Sequence, residues 1–275
     1  MKSLCLNENS KINAQATIGM FRNSDATART RAPAGPPGPT AREPTTAKAK
    51  AAIAAKQLAA HLDCVSVERI EEELNKLLSA PKPGAYLEPE VLAFVLPELP
   101  LDYLSEAREI IDALPAGGEE VTTRWAALLL PLGEDGTRKA LKRLKCSNAV
   151  IDGVSTLVKE KTPRTLPSTL QAKRLLGKYG LHTVQQLTAL WSALQPERKD
   201  EFTALQKEAE TLTAQSACCR VSQLAVNGRD LMAAGVAPGP GLRRALEALL
   251  EEVITGRLPN EKAELLAFAA KFSAS

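Results

Sequence analysis

Histidine is nearly missing from this chain: two occur in 275 residues, His61 and His182. Zinc sites and most proton-relay sites draw on histidine, and neither residue lies in a Cys/His cluster with metal-ligand spacing. His61 sits beside Ala and Leu at helical spacing and His182 follows a glycine turn, so packing or solvation accounts for both. The five cysteines (Cys5, Cys64, Cys146, Cys218, Cys219) never take C-x-x-C spacing. An odd count with one vicinal pair reads as reduced thiols in a cytoplasmic protein. Apolar runs such as residues 125–132 are too short to span a bilayer, so no membrane partner is expected. The start lacks the charged-then-apolar pattern of a secretory signal, though its arginines and scarcity of acids also fit an organellar transit peptide. No G-x-S-x-G, phosphate-binding glycine loop or dinucleotide fingerprint is present. Two-metal nucleotidyl transfer commonly uses two aspartates one residue apart on a strand, and the chain has no D-x-D. Glu88-Pro-Glu90 has that spacing, but it sits at a helix start, where acids favour the positive end of the dipole. No catalytic residue and no metal ligand is assigned.

What is present is aliphatic and helical. The apolar fraction is 44 % with aromatics at 4 %, which implies a core of Leu, Ala and Val. Net charge is +3 but uneven. Residues 1–50 hold eight Lys/Arg against Glu8, Asp25 and Glu43, a charge of +5, which leaves −2 for the remainder. A uniformly basic nucleic-acid protein is excluded, and RNA contact would need local patches. Residues 1–47 are Pro-, Ala- and Gly-rich, lack periodicity, and are expected to be disordered. From Lys48 onward apolar residues recur at three- and four-residue spacing, first at Ile53, Leu58 and Leu62, then at Ile70, Leu74, Leu77 and Leu78. Runs of alternating β-branched residues are absent, so the expected fold is all-α, an elongated array of roughly a dozen helices. Ser66 is expected to cap a helix over 67–78, Thr183 to open another through a capping box with Gln186, Gly256 to end a helix begun at Pro240 or Gly241, and Asn260 to cap the last.

Three stretches resemble the bacterial CCA-adding tRNA nucleotidyltransferases and their poly(A) polymerase relatives. The most specific runs from Leu224, LAVNGRDLMAAGVAPGPGLRRALEALLEEVITGRLPNEKAELLAFA. The family's tail likewise has an N-G-K/R-D-L-M start, a P-G-P knot, a long aliphatic helix and an L-x-N-E-K/R element. The stretch SVERIEEELNKLL resembles the neck motif E-R-x-x-x-E-x-x-K, here Glu68, Arg69, Glu73 and Lys76. The stretch from Arg124 to Val158 resembles the body, but Leu130-Pro131 stands where many relatives carry the His-Asp pair of a phosphohydrolase site. The resemblance implies neck-like helices over 48–115, a body over 116–216 and an RNA-binding tail over 217–275. It implies tRNA as partner, and CTP, ATP and Mg²⁺ as the cofactors of the full family enzyme. No counterpart of the family's paired-aspartate head precedes the neck, so a head encoded separately, or a truncated or decayed gene, is expected. The chain is then a tRNA-binding unit that does not catalyse transfer by itself.

The candidate RNA contacts are cationic residues and glycines at helix starts, since A-form RNA is held largely through its phosphates and sugars. They are Gly239, Gly241, Arg243 and Arg244 at the Pro238–Gly241 knot, Arg229 nearby, Lys139, Lys142 and Arg143 in a second cluster, and Lys173 and Arg174 in a third. Each also has a plain structural reading: a tight turn between packed helices, basic residues complementing a helix C-terminus, and i,i+4 ion pairs such as Arg69–Glu73 and Glu72–Lys76. Two alternatives stay open beside tRNA binding: an α-helical protein-interaction scaffold that has lost RNA binding, and a helix-hairpin-helix DNA binder.

Overall fold

The computed structural model of the chain describes residues 66–117, 121–163 and 167–270. The expected tail over 1–47 and the helix expected around Ile53, Leu58 and Leu62 lie outside the described residues. No strand occurs among the described residues, in keeping with the all-α expectation. The chain divides into two compact units, one ending at Lys159 and the other beginning at Glu160.

The first unit is built around one short helix. Helix α1 (Val67–Ser79) starts where the sequence places it, with the Ser66 hydroxyl accepting from the Arg69 amide. A 3-10 turn (Pro83–Tyr86) follows, then α2 (Pro89–Val95), α3 (Leu104–Ala113) and α4 (Val121–Leu129). Trp125, Ala126, Ala127, Leu128 and Leu129 of α4 are all fully buried, so α4 is the core element. The Trp125 indole N–H donates to Asn75 Oδ1 at 2.7 Å, which joins α4 to α1. Helix α5 runs from Gly133 to Arg143. Gly133 at φ +64 turns the chain out of the preceding 3-10 turn, and Glu134 and Asp135 then complement the dipole of the new helix. Helix α6 (Asn148–Lys159) closes the unit.

In the second unit α7 (Thr169–Tyr179) is capped by Ser168, whose hydroxyl accepts from the Gln171 amide. Helix α8 (Leu181–Leu194) follows after a single residue, Gly180 at φ +81. The expected capping box at Thr183 is therefore corrected: Thr183 lies inside α8, which has no side-chain cap. Helix α9 (Lys199–Ala214) packs back on α8, with the rings of Trp191 and Phe202 5.7 Å apart. Then come α10 (Gly228–Ala233), α11 (Pro240–Ile254) and α12 (Lys262–Ala269), which share a cluster of buried residues including Leu224, Leu231, Ala245, Leu249 and Leu265. Asn260 does not cap α12, whose N-cap position is Glu261. Its amide instead reaches back, accepting from the Ala225 N–H and donating to the Gln223 carbonyl, both at 2.9 Å.

Gly177 of α7 fixes how closely the segment after α9 lies on α7. A Cβ there would stand 2.2 Å from the Cys219 carbonyl oxygen, a backbone atom that cannot swing aside. Gly177→Ala should therefore lower the unfolding free energy by about 1–3 kcal/mol, the usual range for overpacking. Urea titration checks this, and a midpoint equal to the parent's would show that the segment yields.

Candidate nucleic-acid interface

The Pro238–Gly241 knot and the start of α11 form the most open of the candidate sites. Gly239 sits at φ +118 and ψ −156, a region closed to residues with a side chain, and is the N-cap residue of α11. The helix begins with Pro240 and has no side-chain cap. Pro240 has no N–H and the Leu242 N–H donates to the Gly239 carbonyl at 3.1 Å, while no side-chain oxygen of the kind Ser or Asn would supply caps the turn. Helix α10 is the opposite case. Asn227 Oδ1 accepts from the Arg229 and Asp230 amides, Asp230 returns a bond to the Asn227 amide, and Lys262 pairs with Asp230 at 2.6 Å. Gly228 lies close to Leu242, a Cβ there standing 3.3 Å from the leucine methyl, so the two helix starts are neighbours. The N-G-R-D element is therefore a folded cap, while the P-G-P-G element is left open.

Gly241 has no packing role. Its φ is not in the left-handed region, and a Cβ there would meet no atom within 4 Å. Arg243 and Arg244 follow on the exposed side of the first turn. The Arg243 side chain is 84 % exposed and pairs with Glu247 at 2.8 Å, which raises the guanidinium pKa further. The side chains of Arg244 and Arg229 are exposed and make no hydrogen bond or ion pair to any described residue. A shallow hollow beside the knot is lined by Val221, Gly239, Leu242, Arg243, Leu246 and Glu247.

The second cluster, on α5, divides. Lys139 and Lys142 are exposed and unpaired among the described residues. Arg143 is held: its guanidinium donates to both Glu98 carboxylate oxygens, at 2.9 and 2.7 Å, and to the Val95 carbonyl at 2.9 Å. That bidentate bond keeps the Glu98 carboxyl below the ordinary carboxylate range. Arg138 pairs with Asp152 at 2.7 Å, and Lys145 with Glu68 at 2.6 Å.

The third cluster is already paired. Lys173 donates to the carbonyl of Ile254, the last residue of α11, at 3.2 Å, and Arg174 pairs with Glu251 of the same helix. A cation at a helix C-terminus satisfies both its open carbonyls and its dipole. Lys178 pairs with the buried Glu160, which also accepts from the Tyr179 hydroxyl at 2.6 Å.

In the neck motif, Arg69 reaches Glu73 at 3.1 Å and Glu72 at 3.5 Å. Lys76 pairs with Glu73 at 2.9 Å, in place of the Glu72 partner that the spacing suggested. Glu68 is the member that leaves its helix, bonding Lys145, which keeps its carboxyl low.

One important residue went unread in the sequence. Arg124 is 1 % exposed and donates to the carbonyls of Leu78, Ala80 and Leu114. Its one local signal is an arginine at the head of the apolar run Trp125-Ala-Ala-Leu-Leu-Leu130. Among the described residues no group of three or more His, Cys, Asp or Glu is placed to hold a metal ion, and no helix is long and apolar enough to cross a membrane.

Comparison with known proteins places these helices in context. Residues 118–269, more than half the chain, match the family described as tRNA nucleotidyltransferase domain 2. Residues 47–100 match a model described as "Probable RNA and SrmB- binding site of polymerase A". A CCA-adding enzyme of Limosilactobacillus fermentum is 31 % identical over 225 residues, which is 78 % of this chain and 52 % of that one. A CC-adding tRNA nucleotidyltransferase of Shouchella clausii is 53 % identical over 47 residues, 17 % of this chain and 12 % of that one. The crystal structure of the Bacillus stearothermophilus CCA-adding enzyme in complex with CTP superposes with a TM-score of 0.61 at 27 % identity, over 79 % of this chain and 55 % of that one. The chain spans about half the length of the curated relatives it matches.

Proposed function

The chain belongs to the tRNA nucleotidyltransferase family, and on that premise we propose that its helices bind and orient tRNA for 3′-terminal CCA addition. In this reading residues 48–115 are the neck, 116–216 the body and 217–275 the RNA-gripping tail. The transfer step, with CTP, ATP and Mg²⁺, is the work of a paired-carboxylate module apart from these helices, and a separately encoded head is one source of it.

The observation that carries the reading is the start of α11. An uncapped helix N-terminus, a glycine without a packing partner and an unpaired arginine converge there. Backbone N–H groups at such a start suit a phosphate, and the adjoining arginines add charge. Lys139 and Lys142 supply a second contact in the first unit. Arg143, Lys173 and Arg174, by contrast, serve the fold. Those internal pairs are also what favours the scaffold alternative, because they leave fewer cations for a polyanion.

Filter binding of the full chain to tRNA, duplex DNA and heparin separates the readings. A preference for tRNA that weakens steeply with salt is expected. Equal retention of the three polyanions, or none, would remove the proposal. Gly241→Ala adds a sharper contrast. A helical alanine replaces a glycine where the space is open, so stability should rise by about 0.4–1 kcal/mol. The methyl should nevertheless weaken tRNA binding, by standing where a phosphate would approach. A variant that is both more stable and equally tight would place the phosphate elsewhere.

A further inference from the structure

Cys218 and Cys219 adjoin in the segment between α9 and α10, and no step of RNA binding uses them. Both are free thiols. Cys219 is 6 % exposed, and Cys218 is half-buried against the cluster shared by α10 to α12. Several tethers cross at this pair. The Cys219 carbonyl rests so closely on Gly177 of α7 that a Cβ there would stand 2.2 Å from its oxygen. The Cys219 and Arg220 amides both donate to Gln223 Oε1 at 2.9 Å. The Gln223 carbonyl in turn accepts from Asn260, beside the N-cap of α12, at 2.9 Å. The Arg220 guanidinium donates to the Leu176 carbonyl of α7 at 3.2 Å. The same short stretch thus seats α10 to α12 on α7.

We propose that Cys218 and Cys219 form a reversible disulfide with each other, in exchange with a small-molecule disulfide such as glutathione disulfide, and that closing it loosens α10 to α12 from α7. Bonded sulfurs bring their β-carbons to about 3.5–4.5 Å, and between neighbours in sequence the planar peptide must turn to allow that. Turning it lifts the Cys219 carbonyl from Gly177 or the Cys219 amide from Gln223. Cys218, the more open thiol, reacts first. It yields its proton to solvent and attacks one sulfur of the external disulfide, whose S–S bond breaks. One external thiol leaves, and Cys218 carries the mixed disulfide. Cys219 then loses its proton and attacks the Cys218 sulfur, expelling the second external thiol. Two cysteines are oxidised, one external disulfide is reduced, and the two protons end on the departing thiols. Burial pushes both thiols above their ordinary range, opposed by the nearby Lys173 ammonium, so closure is slow at neutral pH. A disulfide strained by its own peptide is easily reduced, which makes the step reversible. Cys146, the other cysteine among the described residues, is buried in the first unit with its thiol pushed up to about 11. Neither step involves RNA, so tRNA binding and thiol oxidation can each fail alone.

Oxidation of the full chain with glutathione disulfide, denaturation in N-ethylmaleimide and tryptic mass mapping test the bond, because Glu208–Arg220 is one tryptic peptide and holds both cysteines. That peptide should be two hydrogens lighter than its reduced form and carry no maleimide. Maleimide on both thiols, glutathione retained on either, or a cross-link to another cysteine would overturn the proposal. Limited trypsin digestion of the native chain reads the loosening. Cleavage after Arg244, within α11, should be at least about tenfold faster in the oxidised chain, because a packed helix must open before it is cut. Dithiothreitol should restore the parent rate. Cys218→Ser and Cys219→Ser should each show no acceleration, and the half-buried Cys218 is the position where serine is best tolerated. An oxidised parent cut no faster than the reduced one, or an acceleration that persists in Cys218→Ser, would show that the pair does not govern the seat of α10 to α12.

Discussion

Arg124→Leu should cost the first unit about 3–5 kcal/mol of stability, the largest loss expected for any single side chain here. The guanidinium is buried and donates through one nitrogen to the Leu78 and Ala80 carbonyls, at 2.5 and 2.6 Å, and through another to the Leu114 carbonyl at 3.1 Å. Leu78 lies in the last turn of α1, Ala80 is its C-cap residue, and Leu114 is the C-cap residue of α3. One cation thus meets the negative ends of two helices and satisfies three carbonyls, those of Leu78 and Leu114 in buried contacts. Leucine fills much of the volume but leaves those acceptors bare, at about 1–3 kcal/mol for each one not rescued by rearrangement. Arg124→Lys keeps the charge but lacks the planar fork, and should fall between parent and leucine. The measurement is clean because the two tryptophans report separately, Trp125 in the first unit and Trp191 in the second. In a Trp191→Phe background, urea unfolding followed by fluorescence reads the unit that holds Arg124. A leucine variant with a midpoint equal to the parent's would mean that water or a shifted backbone satisfies the three carbonyls.

How much of this was legible follows the distance along the chain between partners. Ser66 was readable as a cap because the amide that donates to it lies three residues on. The joint between α7 and α8 misled, since Thr183 and Gln186 have capping-box spacing while Gly180 alone both ends one helix and opens the next. Asn260 misled for a different reason: its partners Gln223 and Ala225 are far back in the chain, and a helix-start residue type says nothing of them. Cations show the same divide. Arg69–Glu73 is a local pair and was foreseen, but Arg143–Glu98, Lys145–Glu68 and Arg174–Glu251 join residues 45, 77 and 77 positions apart. A sequence displays positive charge, and only the fold reveals which charges are already answered. Arg124 is the extreme case, because its partners are backbone carbonyls, which every residue possesses and no residue type announces.

That same distinction decides the largest expected effect on binding. Arg243→Glu combined with Arg244→Glu should weaken tRNA binding about 10- to 100-fold near 0.1 M salt, with the slope of log K against log salt shallower by roughly 1.5. Both side chains are exposed on the first turn of α11 and neither packs in the shared cluster of α10 to α12, so the fold should survive. Arg244 has no acid to answer it among the described residues, whereas Arg243 is shared with Glu247. Glu247→Gln should therefore move affinity the other way, freeing Arg243 and removing a like charge from the path of the phosphates. Arg174→Glu gives the contrast: its guanidinium lies on Glu251, so reversal should destabilise the second unit while leaving the salt slope near the parent's. The double reversal changes the net charge twice as much as Arg174→Glu, and Glu247→Gln changes it in the opposite direction, so net charge alone would give Arg174→Glu about half the slope change of the double reversal. If Arg174→Glu alters the slope by half as much as the double reversal, or more, then binding follows overall charge, and the open start of α11 is a turn and nothing more.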